Sequence, residues 1–280
     1  MPPIVPVSLG DTEELRVFDE IAGREYPVWI SFPVSYAKEP ERRYPVLYIT
    51  DALYSFPLVR SIRNMVGQGG TNIEDFILVG LPPQIGLSSK QSRSRDYTPT
   101  SPKQLGSEVY SAEEYGGAAH YRDFIEASVF PLVESRYRVD ATRRAFAGHS
   151  YGGLFGSFVL VSKPDMFQTY LLSSPSLWFD RHAMNQFEAE YASAHRELKA
   201  RVFLSIGQYE TQGPTPRHFR NVDMVGDNAR FAAKLKSRGY PGLQVETAVL
   251  DGEDHFTIYP AFITRALLKV FPGKGPYVSG

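Results

Sequence analysis

The chain contains no cysteine. That absence removes disulfides, thiolate metal sites and a cysteine nucleophile at once, without fixing the compartment. Charge of one sign is missing too. With 30 Lys plus Arg against 31 Asp plus Glu, the net charge is −1, which leaves no basic footprint for nucleic acid or an anionic membrane surface. No apolar run reaches the roughly 18 residues that span a bilayer. The opening residues, Met1-Pro2-Pro3-Ile4-Val5-Pro6, hold no basic segment followed by an apolar one. The 6 histidines are scattered and form no H-E-x-x-H or similar zinc pattern. Gly67-Gln68-Gly69-Gly70 lacks the Lys-Ser/Thr of a P-loop and reads as the end of a helix. These absences lead us to expect a soluble, cytoplasmic protein with no nucleic-acid or membrane partner, no metal and no cofactor. They leave its oligomeric state open.

What remains is an ordinary globular composition, 42% hydrophobic and 22% charged over 280 residues, which suits one domain over 1–280. Strand candidates fall at 15–19, 25–32, 44–50, 75–81, 144–148, 169–173, 201–206 and 243–250. The first two face each other across an Ala22-Gly23 turn. From the third onward, helical stretches alternate with the strands, at 54–65, 121–137, 151–162, 181–198, 222–237 and 256–271. That order predicts an α/β fold around a mostly parallel twisted sheet of eight strands, flanked by helices. Residues 82–120, rich in Ser, Gly, Pro, Arg and Tyr, show no sustained period. A segment of that length is expected to line a binding cleft.

Gly148-His149-Ser150-Tyr151-Gly152 is a G-x-S-x-G pattern. The pattern alone is weak evidence, but here it joins an apolar strand candidate to a helical stretch. That is the context of a nucleophile elbow. The glycines admit a turn without Cβ clashes, and Ser150 is thereby presented at the C-terminal edge of the sheet. The N–H of Tyr151 would then meet a developing oxyanion at a helix N-terminus.

A serine hydroxyl is a weak nucleophile without a base to take its proton. His149, inside the elbow, is expected to point away from the serine face, and His120, His182, His195 and His218 sit in polar or helical surroundings where exposure is the default. His255 differs, because Asp251-Gly252-Glu253-Asp254-His255 follows the last strand candidate and precedes the last helix. The acid should lie between serine and histidine in chain order. Glu210, just beyond the strand at 201–206, is the first candidate, with Asp223 and Asp227 as competitors. A second oxyanion donor should come from the loop after the third strand, where position alone nominates the backbone of Leu53, with Ala52 next to it.

These residues resemble the putative-esterase (esterase D-like) family of α/β hydrolases, and within it the compact esterases that open trilactone siderophores of the enterobactin and bacillibactin type. Arg93-Ser94-Arg95-Asp96-Tyr97-Thr98-Pro99, Gly116-Gly117-Ala118, the run from Gly148 to Phe155, Ser174-Pro175-Ser176-Leu177-Trp178 and Gly207-Gln208-Tyr209-Glu210 all read like that group's segments. The family usually carries Asp-Gly after the third strand where this chain has Asp51-Ala52, which would restrict an oxyanion loop that needs unusual dihedrals. Some compact members depart from a full triad.

The resemblance implies an α/β-hydrolase fold and a serine esterase that needs no cofactor, using Ser150, His255 and Glu210. The implied substrate is a catecholate siderophore lactone, iron-loaded. Arg93, Arg95, Tyr97 and Trp178 are the expected substrate contacts, since guanidinium groups beside aromatic rings suit an anionic aromatic ligand. The alternatives are a general carboxylesterase of the esterase D, feruloyl or acetyl carbohydrate type, acyl transfer to a sugar in place of water, and a binding protein on a hydrolase scaffold.

Overall fold

The computed structural model describes residues 8–102 and 115–275. Its strands are β1 (Thr12–Asp19), β2 (Arg24–Ser31), β3 (Tyr44–Thr50), β4 (Ile77–Leu81), β5 (Val139–His149), β6 (Thr169–Ser173), β7 (Ala200–Gly207) and β8 (Leu243–Leu250). They form one sheet in the order β1-β2-β4-β3-β5-β6-β7-β8. β1 and β2 are an antiparallel hairpin closed by the Gly23 N–H on the Asp19 carbonyl at 2.8 Å. β2 runs antiparallel to β4, and the remaining pairings are parallel. Every residue of β3, β4 and β6 is buried, as apolar runs in a sheet covered on both faces must be. The edge strands β1 and β8 expose four and five of their eight residues.

The helices are α1 (Ala52–Met65), α2 (Ser89–Asp96), α3 (Ala118–Phe124), α4 (Phe130–Arg136), α5 (Tyr151–Leu160), α6 (Phe179–His182), α7 (Met184–Ala194), α8 (Met224–Ser237) and α9 (Ile258–Val270). Alternation along the strands splits the core in two. Leu47, Ile49, Leu78 and Leu171 pack against Phe56 and Val59 of α1 and Phe262 and Ile263 of α9. Val46, Tyr48, Val79 and Leu172 face the other way, toward Phe124, Leu154, Phe155 and Phe231. The result is an α/β/α sandwich.

Three elements differ from the sequence reading. Part of the irregular 82–120 segment is α2, which periodicity misses because it carries no apolar face. Its buried residues are Ser92, Ser94 and Asp96, and a reciprocal Ser88–Gln91 capping box starts it. Residues 103–114 of that segment lie outside the described residues. The helix expected at 121–137 is α3 and α4 joined through a π-helical turn, Ile125–Val129. Pro131, which has no N–H for the carbonyl four residues back, sits just beyond that turn. The helix expected from Arg181 is α7, which begins at Met184; the short α6 turn before it is not regular helix, because Asp180, Arg181 and His182 all have positive φ, at 45°, 55° and 63°.

One buried cation ties α1 to the sheet. Arg63, 2% exposed, donates to the carbonyls of Ser31, Phe32 and Phe76 and to Ser31 Oγ, at 2.7–3.0 Å. Burial pushes its guanidinium down to about 10, still charged at neutral pH. Arg63→Met should therefore leave buried carbonyls without donors and cost about 3 kcal/mol in urea unfolding. A loss below about 1 kcal/mol would mean that the carbonyls find other partners.

Candidate active site

Five loops leave the C-terminal ends of β3, β5, β6, β7 and β8, and they meet at one edge of the sheet. The central one is the turn from β5 into α5. Ser150 holds φ 57° and ψ −117°, a strained conformation for a residue with a side chain. Its N–H donates to the Ser173 carbonyl at 3.0 Å, and its own carbonyl accepts from Leu154 at 2.9 Å, so the neighbouring strand and the helix together fix the strain. The turn has no room for side chains beside it. A Cβ on Gly148 would lie 2.3 Å from the Gly152 carbonyl oxygen, and one on Gly152 would lie 2.2 Å from Thr50 Oγ1. The second contact also shows how closely the β5–α5 turn approaches the end of β3.

Ser150 Oγ lies 3.0 Å from His255 Nε2, and His255 Nδ1 lies 2.6 Å from Glu210 Oε2. Glu210 is completely buried, and its other oxygen accepts from Ser174 Oγ at 2.5 Å and from the Gly207 N–H at 2.8 Å. A carboxylate satisfied in this way requires a proton on Nδ1 and leaves the Nε2 lone pair facing the serine. The His255 turn is itself pinned. Asp254 Oδ1 accepts from the N–H groups of Phe256 and Thr257, and Oδ2 accepts from Arg217 Nε at 2.7 Å. The structure thus brings together the three residues nominated from sequence, separated by 60 and 45 positions in the chain. The competing acids are engaged elsewhere: Asp223 caps α8 through the Gly226 N–H, and Asp227 pairs with His182 and Arg230.

Tyr151 and Leu53 occupy the first turns of α5 and α1, where backbone N–H groups have no intrahelical acceptor. β3 and β5 are adjacent and parallel, so the two helix N-termini lie side by side. Ala52 is not the obstacle that its replacement of glycine suggested. The positive φ falls one residue earlier, on Asp51 at 54°, and Ala52 is already helical. Asp51 is held there by three contacts. Its N–H donates to the Tyr97 hydroxyl at 3.2 Å, and its carboxylate accepts from Arg93 Nε at 3.0 Å and from the Tyr54 hydroxyl at 3.3 Å.

A cleft of about 570 Å³ opens above Ser150, lined by Tyr54, Leu58, Arg93, His149, Ser150, His255, Phe256, Tyr259 and Pro260. Of the four expected substrate contacts, Arg93 is among these and Arg95, Tyr97 and Trp178 are not. Arg93 lies 5.2 Å above the Tyr151 ring. Burial alone would lower its pKa, but the Asp51 carboxylate holds it above the ordinary arginine value. Arg95 is turned away, into a structural cluster with Asp96, Tyr26 and Gln84. Tyr97 is buried beneath the Asp51 loop and lines an adjoining space of about 110 Å³ that shares Tyr54 and Arg93 with the cleft. Trp178 stands beside Tyr151, with ring centroids 6.4 Å apart.

Of the histidines outside His255, His182 and His195 are exposed as expected, His120 and His218 are partly buried, and His149 departs from expectation. His120 pairs with Asp19 at 2.5 Å, His182 with Asp227 at 2.8 Å, His218 bonds Thr215 at 2.8 Å and His195 stacks on Tyr191 at 4.1 Å. His149, expected to point away, packs its ring 4.7 Å from that of His255 and 5.6 Å from that of Tyr259. Sequence reasoning passed over His149, Tyr54, Phe256 and Tyr259. The available signal was their place, in the elbow or just after β3 and β8. Phe256, 87% exposed beside His255, is the clearest case.

Burial first, then the neighbouring His255 and Arg93, lowers the His149 pKa from 6.5 to about 3. The unfolded chain therefore takes up a proton that the folded state refuses, and His149 makes stability fall as pH drops from 6.5 toward 3. His149→Gln should flatten that acid loss. Between pH 7 and 4.5, urea unfolding should show the variant losing roughly 2 kcal/mol less than wild type. Parallel losses in the two proteins would contradict a neutral His149.

Residues 20–269 match the model of the family described as Putative esterase. The ferri-bacillibactin esterase BesA of Bacillus subtilis is 30% identical over 280 residues, covering 97% of this chain and 93% of that protein. A siderophore triacetylfusarinine C esterase of Aspergillus fumigatus is 28% identical over 291 residues, covering 95% of each. Among solved structures, an IroE-like serine hydrolase from Shewanella oneidensis superposes with a TM-score of 0.79 at 26% identity, over 93% of this chain and 80% of that one. With the family match spanning most of its length and such a relative at 30% identity, the chain belongs to the Putative esterase family.

Proposed function

We propose that this protein is a serine esterase that cleaves the ester bonds of a siderophore, with the lactone esters of an iron-loaded catecholate siderophore as its first substrate. The observation that carries this reading is the unbroken line from buried Glu210 through His255 to Ser150 at the floor of an aromatic cleft. Glu210 keeps the proton on His255 Nδ1. His255 Nε2 takes the Ser150 proton as Oγ bonds to the ester carbonyl carbon, and the carbonyl electron pair moves onto oxygen, facing the N–H groups of Tyr151 and Leu53. Collapse breaks the bond to the alcohol, which leaves with the proton from Nε2. Water then repeats the sequence on the acyl-enzyme and frees the acid.

The substrate class is supported by the names of the relatives, which cite different siderophores. Tyr54, Phe256 and Tyr259 offer apolar ring faces suited to aromatic arms. Opening a lactone ring would separate metal-binding arms that the ring holds at high effective concentration, and so weaken the hold on iron. The iron is cargo of the substrate, and the residue chemistry calls for no cofactor. The cytoplasm is where such release would serve a cell. A general carboxylesterase is the second reading, favoured by one feature: Arg93 is neutralised by Asp51 and presents less charge to an anion than a free arginine would.

Hydrolysis of an iron-loaded trilactone siderophore, set against p-nitrophenyl butyrate and followed by mass, separates the two. The siderophore should be opened at much higher kcat/KM, and Ser150→Ala should abolish both activities. Turnover of the small ester alone would remove the siderophore assignment. Glu210→Gln should lower kcat by about 10³ to 10⁴. Its carbonyl oxygen would be claimed by Ser174 and Gly207, turning the amide N–H₂ toward Nδ1 and forcing the wrong tautomer. Retention of more than a tenth of kcat would exclude Glu210 from catalysis.

A further inference from the structure

The loop after β6, Ser174-Pro175-Ser176, touches the site twice, and Ser176 has no role in the mechanism above. Ser174 Oγ reaches Glu210, and Ser176 Oγ lies 3.3 Å from Ser150 Oγ. Both serines are buried, Ser174 fully and Ser176 at 1% exposure. The loop is rigidly placed. Ser174 sits at φ 43° with its N–H on the Ser205 carbonyl at 2.8 Å, and the Ser176 N–H donates to the Ser150 carbonyl at 3.2 Å.

We propose that Ser176 is a further catalytic residue, whose hydroxyl donates a hydrogen bond to the Ser150 nucleophile. The inference rests on the esterase reading and follows from counting donors. The Glu210 carboxylate can only accept, so Nδ1 of His255 carries the ring proton and Nε2 carries the lone pair. Ser150 must then donate its single proton to Nε2. Toward Ser176, Ser150 Oγ has only lone pairs to offer, so Ser176 supplies the O–H.

A separation of 3.3 Å is long for a hydroxyl pair and makes a weak bond in the resting state. It becomes stronger where charge develops, because bonds to an anionic oxygen shorten and roughly double in strength. Two moments meet that condition. In acylation, the Ser150 proton passes to Nε2 while Oγ bonds to carbon. In deacylation, the bond between the acyl carbon and Oγ breaks, and Oγ holds its electron pair until the proton returns from Nε2. Ser176 O–H faces Oγ in both. In the acyl-enzyme between them, Oγ is an ester oxygen and a poor acceptor, so the donor favours the transition states over the intermediate.

The test is Ser176→Ala, a change that removes one oxygen from a tightly packed site. Single-turnover release of p-nitrophenol from p-nitrophenyl butyrate, with enzyme in excess, reads acylation; decay of the acyl-enzyme by intact mass reads deacylation. Both rate constants should fall about ten- to hundredfold, less than the loss of a full oxyanion donor, with KM and melting temperature unchanged. Rates equal to wild type would overturn the proposal, and so would a fall in melting temperature with both chemical steps unchanged. Ser174→Ala is the control for the other half of the loop, since it should alter the pH profile by loosening Glu210 while leaving the donor to Ser150 in place. A wild-type protein that shows neither acyl-enzyme nor p-nitrophenol release would defeat the esterase reading itself, and this proposal with it.

Discussion

Glu210 is a carboxylate with no exposed surface, and a buried charge is tolerated only where its acceptor capacity is filled. Here it is filled from three directions: the backbone of β7 through Gly207, the loop after β6 through Ser174, and the loop after β8 through His255. Removing any one of these would leave part of the charge unanswered. The same contacts that make the carboxylate tolerable therefore lock three loops to one another and set the imidazole tautomer. The geometry of the candidate triad and local stability are one interaction seen twice.

The remaining parts attach to that centre through the parallel sheet. β3, β5, β6, β7 and β8 are consecutive parallel strands of the sheet, and all end at the same edge. The helices that follow β3 and β5 begin side by side, where their first-turn N–H groups have no intrahelical acceptor. Three non-glycine residues with positive φ, Asp51, Ser150 and Ser174, lie there as well. Each is held by contacts with a neighbouring loop or strand, so the unusual backbone belongs to the assembled edge and to no single turn.

Much of this was legible in the chain, for identifiable reasons. Apolar runs such as 44–50 and 169–173, too short for a helix, mark strands buried on both faces, and the strand-turn-helix setting of G-x-S-x-G ties Ser150 to a backbone geometry. The order of strands then placed His255 and Glu210 at the right edge. Side-chain direction was not legible. Arg93 and Arg95 are two residues apart in α2 and so point to different sides of the helix, one to Asp51 and the cleft, the other to Asp96 and Tyr26. Read as an unstructured segment, both looked equally available. His149 was misjudged for a related reason: its partner, His255, lies 106 residues away, and nothing local reports that approach. The helix start at Met184 was missed because three consecutive left-handed residues, Asp180, Arg181 and His182, contain no glycine, and an aspartate or histidine that tolerates that region does not by itself mark a turn.

The central claim is that one serine, activated through one histidine, does the chemistry. The most direct measurement is the intact mass and peptide map of the protein after exposure to a fluorophosphonate, for wild type and for His255→Ala. A single adduct on the peptide containing Ser150 in wild type, with labelling greatly slowed in the variant, is the result this account predicts. An unmodified wild-type protein, an adduct on another residue, or labelling as fast without His255 as with it would contradict it.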